Sequence, residues 1–409
     1  MTARKYSLQC PVCSISYAPE ESVFKCPTCE APTVVAMDIT QETSLGEPGA
    51  NSLWRYFDLL PLEDEKWITS QGEGRTPLVE SARLAGILGV GRLMLKNETV
   101  NPTGSFKDRQ ISVGISKARE SAANTVAVVS SGNVAAASAS YAAMAGMKCN
   151  IFAPSNAPEE KLVQARAYGA IFYRVNTLSS SGIFRLVTTT CERKHWYLLS
   201  TAGLYNPYQV EGAKTIAYEL FEQAPSLPDW IIAPVGGGGL IGALWRGFEE
   251  LKSLGKCTKT PGIVGVQSSE CTPLIDAIEK GLTPSEVIAH PVHVGDTIAG
   301  AIADDILFDA YTALPAIRQT GGLALAVTDE EMLAAERLLA RTAGIFAEPA
   351  SASTIAALKK LCESDSIKKT DSVCCIITGS GFKDMGSARK LLEAPREIEP
   401  TEEAFSKLN

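Results

Sequence analysis

Downstream of residue 120 the chain alternates short apolar runs with longer stretches of helical periodicity. Residues 126–129, 149–153 and 170–175 are apolar and β-rich, and the segments 134–145, 159–168 and 182–193 that follow them have helical character. The same alternation continues with an apolar run at 230–235 before a helix at 240–251, then strands at 263–266 and 372–377. Upstream, a helix at 81–88, a strand at 93–96 and a helix at 111–118 are expected. Strands that are apolar throughout, each followed by a helix, predict an α/β chain whose parallel sheet is covered on both faces. At 409 residues the chain exceeds one typical core, so two domains and a small appendage are expected.

Two stretches break the pattern. Residues 34–49 are polar and punctuated by Pro and Gly, as in a linker, and 53–61 form a partly apolar strap. Before them lie Cys10-Pro11-Val12-Cys13 and Cys26-Pro27-Thr28-Cys29, two knuckles separated by twelve residues. Each knuckle offers two thiolates, and together they close one tetrahedral zinc site of ribbon type. Four cysteines leave no open coordination position, so the zinc is expected to be structural.

Hydrophobic residues make up 45% of the chain and charged residues 21%, as in a globular enzyme. Lys and Arg total 38 against 46 Asp and Glu, a balance of −8 that argues against a nucleic-acid partner. No apolar run has the length of a membrane span, and the start lacks a signal-peptide core. With eleven cysteines spread along the chain and four at metal spacing, a reducing cytoplasm is expected.

The chemistry centres on Asn101-Pro102-Thr103-Gly104-Ser105-Phe106-Lys107-Asp108-Arg109. Asn-Pro and Gly bend the chain after a strand and deliver Lys107 to a helix start, where unpaired N–H groups favour anions. A lysine so placed suits Schiff-base chemistry with a carbonyl cofactor such as pyridoxal phosphate. At the end of the 126–129 strand, Ser130, Ser131, Gly132 and Asn133 offer hydroxyls, N–H groups and an amide. Gly236, Gly237, Gly238 and Gly239 stand between a strand and a helix, leaving bare backbone to wrap a phosphate. No lysine follows and the spacing is not GxGxxG, which points away from ATP and dinucleotides. Thr378 ends the last strand and offers a hydroxyl at the same sheet edge.

In this order the elements resemble the fold type II pyridoxal-phosphate enzymes of the tryptophan synthase beta superfamily, and most of all the threonine synthase family. The resemblance extends over the cysteine ribbon, Trp54-Arg55-Tyr56, Gly72-Glu73-Gly74, Asn206-Pro207-Tyr208, Glu211-Gly212 and Glu348-Pro349-Ala350-Ser351. Gly379, Gly381, Lys383 and Asp384 close it. It implies two doubly wound three-layer αβα domains with a zinc-ribbon-like appendage. The expected partition is a cysteine module at 1–35 and a linker and strap at 36–75. A large cofactor domain at 76–120 and 205–395, a small mobile domain at 121–204 and a tail at 396–409 complete it.

The resemblance further implies that Lys107 carries the cofactor Schiff base and shuttles protons, with Phe106 beside the ring. Asn133 is expected on the ring hydroxyl, the four glycines on the phosphate, and Thr378 on the pyridine nitrogen. Ser130, Ser131 and Gly132 are expected to receive the substrate carboxylate, and a homodimer is implied. The family usually carries Asn-Ser two residues before Asn-Pro and an arginine just after Asn-Pro-aromatic, gripping the phosphate of phosphohomoserine. Here Gly203, Leu204 and Gln209 stand there, Ser380 replaces a common histidine and Gln110 a common glycine. Losing a guanidinium removes charge-assisted hydrogen bonds that an amide does not replace. Three readings follow: a threonine synthase with a rearranged clamp, a relative performing β- or γ-elimination or replacement on another amino acid (dehydratase-type lyase or β-replacement synthase), or a non-catalytic regulatory or metal-binding protein. The second is expected, with Gln209 facing the substrate side chain.

Overall fold

The computed structural model describes residues 5–40, 42–47, 51–176, 180–390 and 392–408; parts of the expected linker (41 and 48–50) and both chain ends (1–4 and 409) lie outside the described residues. Three sheets organise it. The largest has six strands in the order Leu323–Val327, Gly262–Ser268, Trp230–Pro234, Ser372–Ile377, Arg92–Asn97 and Leu78–Glu80. All neighbouring pairs are parallel except the last, where Leu78–Glu80 runs antiparallel along the edge. The parallel sheet expected from the alternation is thus modified at one edge, where the three-residue strand entered from the Gly72–Leu78 loop pairs antiparallel.

Successive residues of these strands face opposite cores. Ile231, Ala233, Cys374 and Ile376 join one apolar cluster, while Ile232, Val373, Cys375 and Ile377 join the other. Burial on both faces is why the strands lack a polar alternation in the sequence. The second sheet has four parallel strands in the order Ile171–Val175, Lys148–Pro154, Thr125–Val129 and Tyr197–Leu199. The helix Lys107–Glu120, expected with the larger unit, places Ile111, Ile115 and Ala118 in the core of this smaller sheet. It is a shared wall between the two.

The third sheet, three antiparallel strands in the order Ser16–Tyr17, Tyr6–Gln9 and Val34–Met37, carries the cysteine knuckles. The composition places Val34–Met37 at the opening of the linker; its apolar residues instead pair with Tyr6–Gln9, which moves the end of the ribbon past residue 35. The ribbon docks through aromatic edges, Tyr6 and Phe24 packing on Tyr208 at 6.1 and 5.6 Å between ring centroids.

Candidate active site

In a parallel sheet the carboxyl ends of all strands lie at one edge, so the loops leaving them converge. Thr378 follows Ser372–Ile377, and its carbonyl accepts the Phe106 N–H at 2.9 Å, tying two adjacent strand ends together. Phe106 and Lys107 therefore begin the Lys107–Glu120 helix beside the end of that strand.

The turn is locked by its own polar residues. Asp108 accepts the Thr103 N–H at 2.8 Å and the Thr103 hydroxyl at 2.7 Å. Burial pushes the Asp108 carboxyl up to about 7. Arg109, fully buried, donates to Glu98 through Nε at 2.7 Å and to Glu219 through Nη2 at 2.8 Å. Lys96 Nζ donates to the same Glu219 at 2.6 Å. Two cations and two carboxylates sealed from water hold the turn to the helix Glu211–Gln223, an arrangement in which each member depends on the others.

Lys107 opens onto a cavity of about 480 Å³, a size suited to a cofactor with a small substrate. Its Nζ donates to Gln110 Oε1 at 3.1 Å and lies 4.4 Å from the centroid of the Phe106 ring. Desolvation lowers the Lys107 pKa to about 8, although Asp304, Asp309 and Glu348 oppose the shift. The cavity is lined by Ser130, Ser131, Gly132, Asn133, the four glycines and Thr378, so the expected residues meet in one place.

Each is held by its element. Asn133 starts the helix Asn133–Met144 and donates its Nδ2 to Glu348 Oε1 at 2.9 Å. Gly132 N–H donates to Ser130 Oγ at 3.1 Å, folding the loop on itself. Thr378 and Ser351 share a hydrogen bond between hydroxyls at 2.8 Å. The tetraglycine loop enters the helix Gly239–Ser253 with Gly238 at φ 94°, and a Cβ there would stand 2.8 Å from that of Ala313. Gly236 is as confined: its Cβ would lie 2.6 Å from Asp304 Oδ2. A Cβ at Gly237 would lie 3.5 Å from the same oxygen, so the Asp304 carboxylate stands against the loop.

Gln209 does not line the cavity. It is fully buried behind the Lys107–Glu120 helix, where a Cβ on Gly114 would come 2.5 Å from its Oε1. The helix turn at Val210 carries it inward, a placement that spacing from Asn206-Pro207 does not reveal. Sequence reasoning also missed Asp304, Asp309 and Glu348. Glu348 lay within a motif already singled out, and the Asp304-Asp305 doublet was the available signal for the others.

At the ribbon, the Sγ atoms of Cys10, Cys13, Cys26 and Cys29 all lie within 4.8 Å of one another. Cys13 and Cys26 are 3.6 Å apart and Cys13 and Cys29 3.9 Å, near the edge of a tetrahedron with zinc–sulfur bonds of about 2.3 Å. The donor set fits zinc.

A desolvated lysine, a glycine loop at a helix start and a hydroxyl at a third wall fit pyridoxal phosphate. Residues 69–379 match the family described as Pyridoxal-phosphate dependent enzyme. The chain belongs to that family. It is 38% identical over 411 residues to a threonine synthase from Methanosarcina acetivorans, covering 98% of both chains. A threonine synthase from Methanocaldococcus jannaschii is also 38% identical, over 403 residues and 96% of each. Among solved structures, a serine racemase from maize superposes with a TM-score of 0.65 at 25% identity, covering 78% of this chain and 91% of that one. This member of the family is therefore a fold type II, threonine synthase-like, pyridoxal-phosphate-dependent lyase.

Proposed function

We propose that the chain catalyses β- or γ-elimination or replacement on an amino acid without a side-chain phosphate. The observation that carries this reading is the wall of the cavity, which among the described residues includes no arginine. A phosphate dianion is gripped best by the fork of a guanidinium, and none is offered. When bound, the cofactor supplies an electron sink for charge at the substrate α-carbon.

The chain's own residues do the rest. Lys107 is the attachment point and the proton carrier; with a pKa near 8, its amine both takes and returns a proton near neutral pH. The N–H groups of Gly236, Gly237, Gly238 and Gly239, at a helix start, hold the cofactor phosphate. Asn133 serves the ring hydroxyl, Phe106 packs beside the ring, and Thr378 meets the ring nitrogen with a neutral hydroxyl. Ser130, Ser131 and Gly132 orient the substrate carboxylate. Gln209 acts from behind the Lys107–Glu120 helix, on its packing, rather than on the substrate. The reading carries with it the two αβα domains, a zinc-bearing ribbon, a homodimer and a cytoplasmic location.

A second reading, threonine synthase acting on phosphohomoserine, is supported by the names of the relatives and by Lys161 and Lys383 on the cavity wall. Both lysines are engaged, Lys383 with Gln164 and Lys161 with Asp384. Steady-state phosphate release separates the two readings. The proposal expects phosphohomoserine to turn over slowly, and release at the rate of a biosynthetic enzyme contradicts it.

A further inference from the structure

The cavity wall beside the tetraglycine loop is acidic and aromatic. Asp304 lines it together with Phe184 and Phe308, whose ring centroids are 5.5 Å apart. Asp309 stands directly behind. Its Oδ1 accepts the Gly203 N–H at 2.8 Å, and a Cβ at Gly203 would fall 2.5 Å from that oxygen, so the missing side chain is what admits the carboxylate. Asp309 Oδ2 has no hydrogen-bond partner among the described residues although Asp309 is only 8% exposed, and it faces the Cβ side of Gly239 in the cavity-lining loop at 3.1 Å.

Two carboxylates in a desolvated place call for positive charge. Lys107 lies within electrostatic reach of both, and Arg246 of Asp309, but Arg246 is paired with Glu211 and the Val35 carbonyl. Asp305, next in sequence, is held by Ser181 and adds further negative charge. Burial leaves Asp304 at about 6 and Asp309 at about 7, the mark of carboxylates short of a counter-charge. The Asp304 carboxylate faces the cavity beside the glycine loop. Aromatic rings beside a carboxylate form a surface that attracts an ammonium and repels a phosphate.

We infer that this wall of the cavity receives the side-chain ammonium of a short diamino acid, with Asp304 as its principal contact and Asp309 reinforcing the charge from behind. The inference rests on the proposed unphosphorylated substrate and names its class.

Titration of the holoenzyme, followed by cofactor absorbance and by calorimetry, tests it with L-2,3-diaminopropionate and L-2,4-diaminobutyrate against L-serine, L-homoserine and O-phospho-L-homoserine. The diamino acids are expected to bind about tenfold or more tighter than the hydroxy amino acids, as one desolvated charge pair allows. That ratio should collapse in Asp304→Asn and shrink in Asp309→Asn, while Asp304→Glu retains it in part; melting curves establish that each variant is folded. Equal binding of serine and diaminopropionate, or a ratio unchanged in folded Asp304→Asn, overturns the inference and leaves the unphosphorylated reading standing. Tightest binding of phosphohomoserine overturns both.

Discussion

Burial of the Lys107 amine lowers its pKa from 10.5 to about 8, and this changes when it reacts. Only the free base attacks an aldehyde, and the fraction of free base rises with pH up to the folded-state pKa. Capture of pyridoxal phosphate by the apoenzyme should therefore quicken about tenfold per unit below pH 8 and level off above it. Stopped-flow absorbance across pH checks this, and a rate still climbing at about pH 10 would mark an ordinary exposed lysine. The neighbouring residues explain why the amine is so placed: Asp108 latches the turn to Thr103, and Arg109 pins it between Glu98 and Glu219.

Among the elements, the contact between the helices Lys107–Glu120 and Glu211–Gln223 sets the position of Lys107. Gly212 permits it, since a Cβ there would sit 2.0 Å from the Arg109 carbonyl oxygen. Gly212→Ala should push the helix start away, costing about 3 kcal/mol, the upper end for overpacking, and slowing cofactor capture. Urea unfolding measures the first effect, and a variant as stable as the parent would show that the helices do not meet so closely. The order of these elements was legible in the sequence because strands buried on both faces and helices of regular period leave clear marks. The strand expected at 93–96 is Arg92–Asn97, and the helix expected at 240–251 is Gly239–Ser253. Loops at strand ends also declared themselves through Lys107, Asn133 and the glycines. What did not show is pairing across distance. Asn133 and Glu348 are 215 residues apart, and no local pattern marks Gly203 as the opening that Asp309 fills. Gln209 was misplaced for the same reason, because the direction of a side chain at a helix start depends on what the helix packs against.

At the scale of the whole molecule, the ribbon is joined to the body at Tyr208, whose hydroxyl donates to the Pro19 carbonyl at 3.3 Å, and at Lys117, which donates to the Tyr6 hydroxyl at 2.7 Å. Tyr208 precedes the helix that pins Arg109, so ribbon and active-site scaffold share a support. The four clustered thiols are expected to hold about one zinc per chain, and metal binding contributes directly to the folding of so small a unit. Chelation under reducing conditions should lower the melting temperature, as should Cys13→Ser, and an unchanged melting temperature after metal removal would show the ribbon to stand without it.

All of these scales meet at the covalent attachment proposed for Lys107. Borohydride reduction of the holoenzyme followed by peptide mapping tests it most directly. The cofactor label is expected on the peptide containing Lys107 and is expected to vanish in a folded Lys107→Ala variant. A label on another lysine, or one that persists in that variant, would contradict the account.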